Sequence, residues 1–86
     1  MKKVRLSEKF EVVIASLPDR ENLVSEIYYC DIQWIEISQE TEDVRIQFYP
    51  HPYKDCWEFN VDEAILAIKL AKAKLLEEPL EDIQLS

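Results

Sequence analysis

Two cysteines, one histidine and eighteen carboxylates are the side chains in these 86 residues that could take part in covalent or metal chemistry, and their spacing argues against it. Neither Cys30 nor Cys56 belongs to a C-x-x-C pair, and His51 has no second histidine near it. The tetrahedral nitrogen and sulfur set that zinc needs is therefore missing. A nucleophilic pairing of Cys56 with His51, five residues apart across a Pro-rich turn, is the one arrangement of its kind. The two thiols are expected to be free, because a secreted domain of this length that relied on disulfides would carry four or more cysteines. Glycine is absent, where average usage near 7% would give about six. That excludes every Gly-rich phosphate loop and passes the turns to Asp, Asn, Pro and Ser. Carboxylates are abundant, but an acid pair works only in a pocket that raises one pKa, and a chain this short makes few deep pockets. No catalytic residue, metal or cofactor is expected.

Ten basic residues against eighteen acidic ones give a net charge of -8, and three of the bases fall in the first five residues. Between Asp19 and Glu63 there are twelve acids and only Arg20, Arg45 and Lys54 to oppose them. Such a surface repels nucleic acid and anionic membrane, which are bound by Lys and Arg neutralising phosphates. It suits solubility, and equally the capture of a basic protein, since complementary fields speed encounter. The longest uncharged run, Ile46 to Tyr53, is eight residues, against the roughly 20 of a membrane-spanning helix. Glu8, Lys9 and Glu11 stand where the apolar stretch of a signal peptide would lie. The expected location is cytoplasmic.

Two-residue alternation places strands at 10–16, 23–30, 33–38 and 44–49, with Cys56 to Phe59 as a candidate fifth. Short polar loops join them, which implies an antiparallel meander. The turn between the second and third strands falls on Asp31 and Ile32, and Ile32 fits a two-residue hairpin badly. Pro50 and Pro52 end the fourth strand. Asn60 followed by Glu63 has the spacing of a capping box, so a helix should start at Val61 and run to about Glu78, before Pro79. Its apolar stripe reads Val61, Ala64, Ile65, Ile68, Ala71, Leu75 and Leu76. The whole is one α+β domain: an N-terminal segment 1–8, a sheet within 9–59, a helix over 60–78 and an acidic tail 79–86.

If Phe10, Val12, Ile14, Ile27, Tyr29, Ile35, Ile37, Val44, Ile46 and Phe48 meet the helix, the opposite face carries Glu26, Tyr28, Trp34, Glu36, Arg45, Gln47 and Tyr49. Aromatics among charges are what protein interfaces use, and they are equally what stabilises a solvated sheet face as cross-strand pairs. A partner-binding surface centred on Trp34 is the sharper expectation. Leu66 and Leu70 point away from the helix stripe, so a tail folded over them or a homodimer through that ridge is the alternative.

Four stretches carry a resemblance: SLPDRENLVSEIYY at Ser16 to Tyr29, EISQE at Glu36 to Glu40, IQFYPHP at Ile46 to Pro52 and WEFNVDEA at Trp57 to Ala64. Together they resemble the small immunity proteins of contact-dependent growth inhibition and other polymorphic toxin systems, over about Val4 to Leu76. The resemblance implies a cytoplasmic, non-enzymatic inhibitor that binds a bacterial toxin domain and blocks its active site or an adjoining surface.

Overall fold

A computed structural model describes residues 2–76. Five strands, β1 (Lys2–Arg5), β2 (Phe10–Ala15), β3 (Val24–Tyr29), β4 (Ile32–Ser38) and β5 (Arg45–Phe48), precede one helix, α1 (Val61–Leu76). Every strand pairs antiparallel with its neighbour in sequence, and the order across the sheet is β1-β2-β3-β4-β5. The helix packs against β2, β3 and β4. The expected α+β meander with a C-terminal helix is the fold.

The fifth strand is not where alternation placed it. Lys2–Arg5 forms it, at the edge beside β2. KKVR offers one apolar residue, Val4, which packs toward the core while Lys3 and Arg5 project to the other side. An edge strand of that kind shows almost no hydrophobic alternation, and its charges are what edges commonly carry. Residues 56–59 form no strand. Phe59 instead inserts among Phe10, Tyr29 and Trp34, with ring centroids 5.1, 4.7 and 4.5 Å away. Trp57 stacks on Phe59, and its indole N–H donates to the Tyr49 carbonyl at 2.8 Å. The segment between β5 and α1 thus closes one end of the core as an aromatic plug.

Two local features set the register of β3 and β4. The connecting turn is Cys30 and Asp31, both with positive φ, 51° and 68°. Positive φ at both central residues is the type I′ geometry that matches strand twist. The turn therefore lies one residue earlier than expected, and Ile32 pairs with Tyr29 as the first residue of β4. Farther along, Tyr28 pairs with Gln33 and Ile27 with Ile35, which leaves Trp34 as an extra residue. That is a β-bulge, with two residues of β4 opposing one of β3. Because the bulge interrupts the alternation, Trp34 joins Ile35 on the helix side and is only 8% exposed. The expected surface centre is a core residue.

Asn60 caps α1 as expected, its side-chain oxygen accepting the Glu63 N–H at 3.1 Å. The buried stripe is rotated from the expected one, to Ala67, Leu70, Ala71 and Ala73, flanked by Ala64, Ile68 and Leu75. The alanines let the helix settle close to the sheet, chiefly against β3 and β2. With β1 present, the sheet centre shifts toward the N-terminal edge, and α1 follows it. Val61 and Ile65 are consequently exposed, and so are Ile46 and Phe48 on β5. Leu70 is buried and Leu66 half-buried, so the pair does not form an exposed dimer ridge. Glu77, Glu78 and the acidic tail lie outside the described residues, and no described helix is long and apolar enough to cross a membrane.

Trp34→Ala should destabilise the fold by about 3 to 5 kcal/mol, a large fraction of the stability of a small domain. Urea unfolding followed by far-ultraviolet circular dichroism would measure it. Leu70→Asp, which places a charge in the same core, should leave the chain unfolded rather than merely monomeric.

Candidate functional site

The helix-free face of the sheet is built from every second residue, and its centre is carboxylate. Glu26 on β3 and Glu36 on β4 are direct cross-strand partners. They are 8% and 3% exposed, an unusual degree of burial for acids on a face that no described element covers. Glu11, which pairs with Tyr28 across β2 and β3, is a third buried carboxylate on the same side. Like charges directly opposite on a sheet destabilise it, so the surroundings must compensate.

Arg20 compensates Glu36. Its Nη2 donates to Glu36 Oε2 at 2.7 Å and to Gln47 Oε1 at 2.8 Å, while the Tyr49 hydroxyl donates to the other oxygen of Glu36 at 3.2 Å. Arg20 sits in the polar loop between β2 and β3, and Glu40 pins that loop. The Glu40 carboxylate accepts the N–H groups of Glu21 and Asn22 at 2.8 and 3.0 Å, and the Asn22 side chain donates to the Gln39 carbonyl at 2.9 Å. The guanidinium is thereby fixed over β4, and the Glu36 carboxylate raises its already high pKa.

Glu26 is held differently. Among the described residues its hydrogen-bond partners are neutral: the Tyr28 hydroxyl donates at 3.3 Å and the Gln33 amide at 3.4 Å. Burial raises its pKa above the ordinary 4.5, the two donors oppose that shift, and Glu36 adds to it. The Tyr28 and Tyr49 hydroxyls are pushed up as well, chiefly by burial and then by these same carboxylates, so both remain donors. Beside Glu26 lies a depression of about 310 Å3 lined by Lys3, Glu11, Val13, Glu26, Tyr28 and Asp31. Lys3 and Arg5 approach Glu11 at 3.5 and 3.4 Å, which leaves Glu26, among the described residues, as the one of these three carboxylates without a cation of its own.

Of the six residues expected at this surface, Glu26, Tyr28, Glu36 and Tyr49 form one connected patch, and exposed Arg45 on β5 flanks it through Gln47. Trp34 is on the other side of the sheet. Arg20, Lys3, Gln33 and Glu11 complete the patch: Glu11 lies on the side of β2 that alternation gives it, Gln33 reaches this side only through the β4 bulge, and Arg20 and Lys3 escape alternation because a loop cation or an unassigned edge strand carries no period. The spacing LPDREN between two strands marks a turn but does not say where its arginine reaches.

The remaining chemistry-bearing side chains sit elsewhere. His51 Nδ1 accepts the backbone N–H groups of Tyr53 and Lys54 at 3.0 and 3.1 Å, and the ring packs on Trp57 at 4.6 Å, so it organises its own loop. Cys30 and Cys56 are exposed free thiols. Among the described residues no three His, Cys, Asp or Glu side chains gather as a metal set. No family model, curated protein or solved structure matches the chain.

Glu26→Gln should stabilise the protein at neutral pH. The wild-type carboxyl binds its proton more tightly folded than unfolded, so its unfavourable contribution is absent below 4.5 and grows as pH rises toward the raised folded value. Urea midpoints of the two proteins should differ at neutral pH and converge below 4.5.

Proposed function

We propose that this chain is a non-enzymatic protein-binding inhibitor whose helix-free sheet face captures a basic protein domain, in the manner of an immunity protein that neutralises a bacterial toxin. The observation that carries the reading is Glu26: among the described residues it is a buried carboxylate on an uncovered face, without a cation, directly opposite a second buried carboxylate. Folding gains nothing from keeping such a group ionised. A lysine or arginine from a partner would supply the missing charge, in a setting already stripped of most water and ordered by Tyr28 and Gln33. The pinned Arg20 and the hydrogen-bonded Tyr49 keep the neighbouring carboxylate from moving, so little ordering is left for the moment of binding. The net charge of -8 would steer a cationic partner toward the chain.

On this reading the chain should be encoded beside a large toxin, and the C-terminal domain of such a neighbour is the partner to test. Titration calorimetry and stopped-flow mixing with that domain should show a tight complex that associates more slowly as salt rises. Glu26→Gln should weaken it by about 2 kcal/mol, roughly thirtyfold in Kd, although the same substitution makes the free chain more stable. Tyr28→Ala should also speed dissociation. Wild-type affinity in both variants would overturn the proposed surface.

A further inference from the structure

We propose that the β5 edge is a self-association surface, on which a second copy of this chain adds its own β5 antiparallel to form a continuous ten-stranded sheet. The two edges of the sheet are guarded unequally. β1 carries three cations in four residues, the usual protection against edge pairing. β5 is Arg-Ile-Gln-Phe, with one charge, no proline and no register shift against β4. Among the described residues nothing pairs with its outer side.

The hydrogen-bond phase shows which groups are free. The Tyr49 N–H donates to the Trp34 carbonyl at 2.8 Å, so residues 45, 47 and 49 turn their backbone groups toward β4. Ile46 and Phe48 therefore turn theirs outward. Their side chains lie on the helix side of the sheet and are 40% and 62% exposed, because α1 is centred over β3 and does not reach them. Ile46, Ile37, Val44 and the stem of Lys72 line a shallow groove between β5 and α1, and Ile65, two helical turns before Lys72, extends the apolar strip.

A second copy fits this edge better than an unrelated strand, for two reasons. The pairing is self-complementary: with Gln47 opposite Gln47 of the other copy, Ile46 lies opposite Phe48 in both directions. Those residues have the free backbone groups, so four hydrogen bonds form, and the aromatic and β-branched side chains meet on one face. Arg45 then faces Tyr49 of the other copy on the opposite side, within reach for a cation–π contact. Charge favours it as well. Val44 to Lys54 contains Arg45 and Lys54 and no acid, the longest stretch without a carboxylate between Asp19 and Glu63. Two chains of charge -8 repel least where they approach through that segment. Pro50 limits the pairing to β5, having no N–H to extend it.

Sedimentation velocity over a wide concentration range tests this. The wild-type mass should rise from 10.2 kDa toward twice that value, and the amide protons of Ile46 and Phe48 should gain hydrogen-exchange protection at the same concentrations. Phe48→Lys and Ile46→Lys should both stay monomeric with an unchanged circular dichroism spectrum, and Leu66→Lys should still dimerise. A wild-type chain that remains monomeric at millimolar concentration would overturn the proposal. So would a dimer that survives both β5 substitutions or leaves the two amides unprotected. The capture of a toxin domain is measured separately and does not depend on this result.

Discussion

One residue more on β4 than on β3 decides which side chains this protein shows and which it hides. Had the alternation of β4 continued unbroken, Trp34 would stand beside Glu36 on the open face. The bulge places Trp34 and Ile35 together under the helix, next to Phe10 and Phe59. The core thereby gains its largest side chain, and the aromatic plug between β5 and α1 gains the surface it closes on. The open face loses its aromatic centre and becomes a surface of carboxylates and their donors. The helix position follows from the same packing, since alanines face the sheet where it is already full.

That division sets the character of the open face. Tyr28, Tyr49, Gln33, Gln47 and Arg20 cover Glu26 and Glu36 laterally, like a thin lid of polar side chains lying on the sheet. A solvated face with threonines and lysines would stabilise the sheet more simply. A carboxylate buried on a strand face without a cation stabilises the sheet less than such residues would. Among the described residues Glu36 has a pinned arginine and Glu26 neutral donors only, so that cost falls on one side of the patch.

Much of this architecture was legible in the residues. Phe10 to Ala15, Val24 to Tyr29 and Val44 to Phe48 alternate cleanly, Asn60 announces the helix, and short polar loops imply neighbours paired in sequence order. What stayed hidden has physical causes. β1 was invisible because an edge strand with one buried side chain has no period to detect. The Trp34 bulge has no signal in the residues, and neither has the turn at Cys30 and Asp31, whose positive φ no glycine advertises. The helix rotation is hidden for a related reason: hydrophobicity ranks Val61 and Ile65 above Ala67 and Ala71, while close approach to a sheet favours the alanines. Glu26 and Glu36 could be placed on the open face, but their burial could not, since it depends on Arg20 reaching back from a loop.

The unbroken sequence order of the strands bears on how the chain reaches this state. Each sheet contact joins segments that are near each other along the backbone, so loop-closure entropy is small at every step and the topology belongs to the faster class of β-containing folds. The β3–β4 hairpin, closed by two residues, is the natural place for structure to begin, and strands can then add outward on both sides. The exception is the plug: Trp57 and Phe59 must cross from the far end of β5 to Phe10 and Tyr29. Until they arrive, the aromatic core is open at one end. Docking of that segment together with α1 is therefore the step that converts an assembled sheet into a protein with a fixed interior.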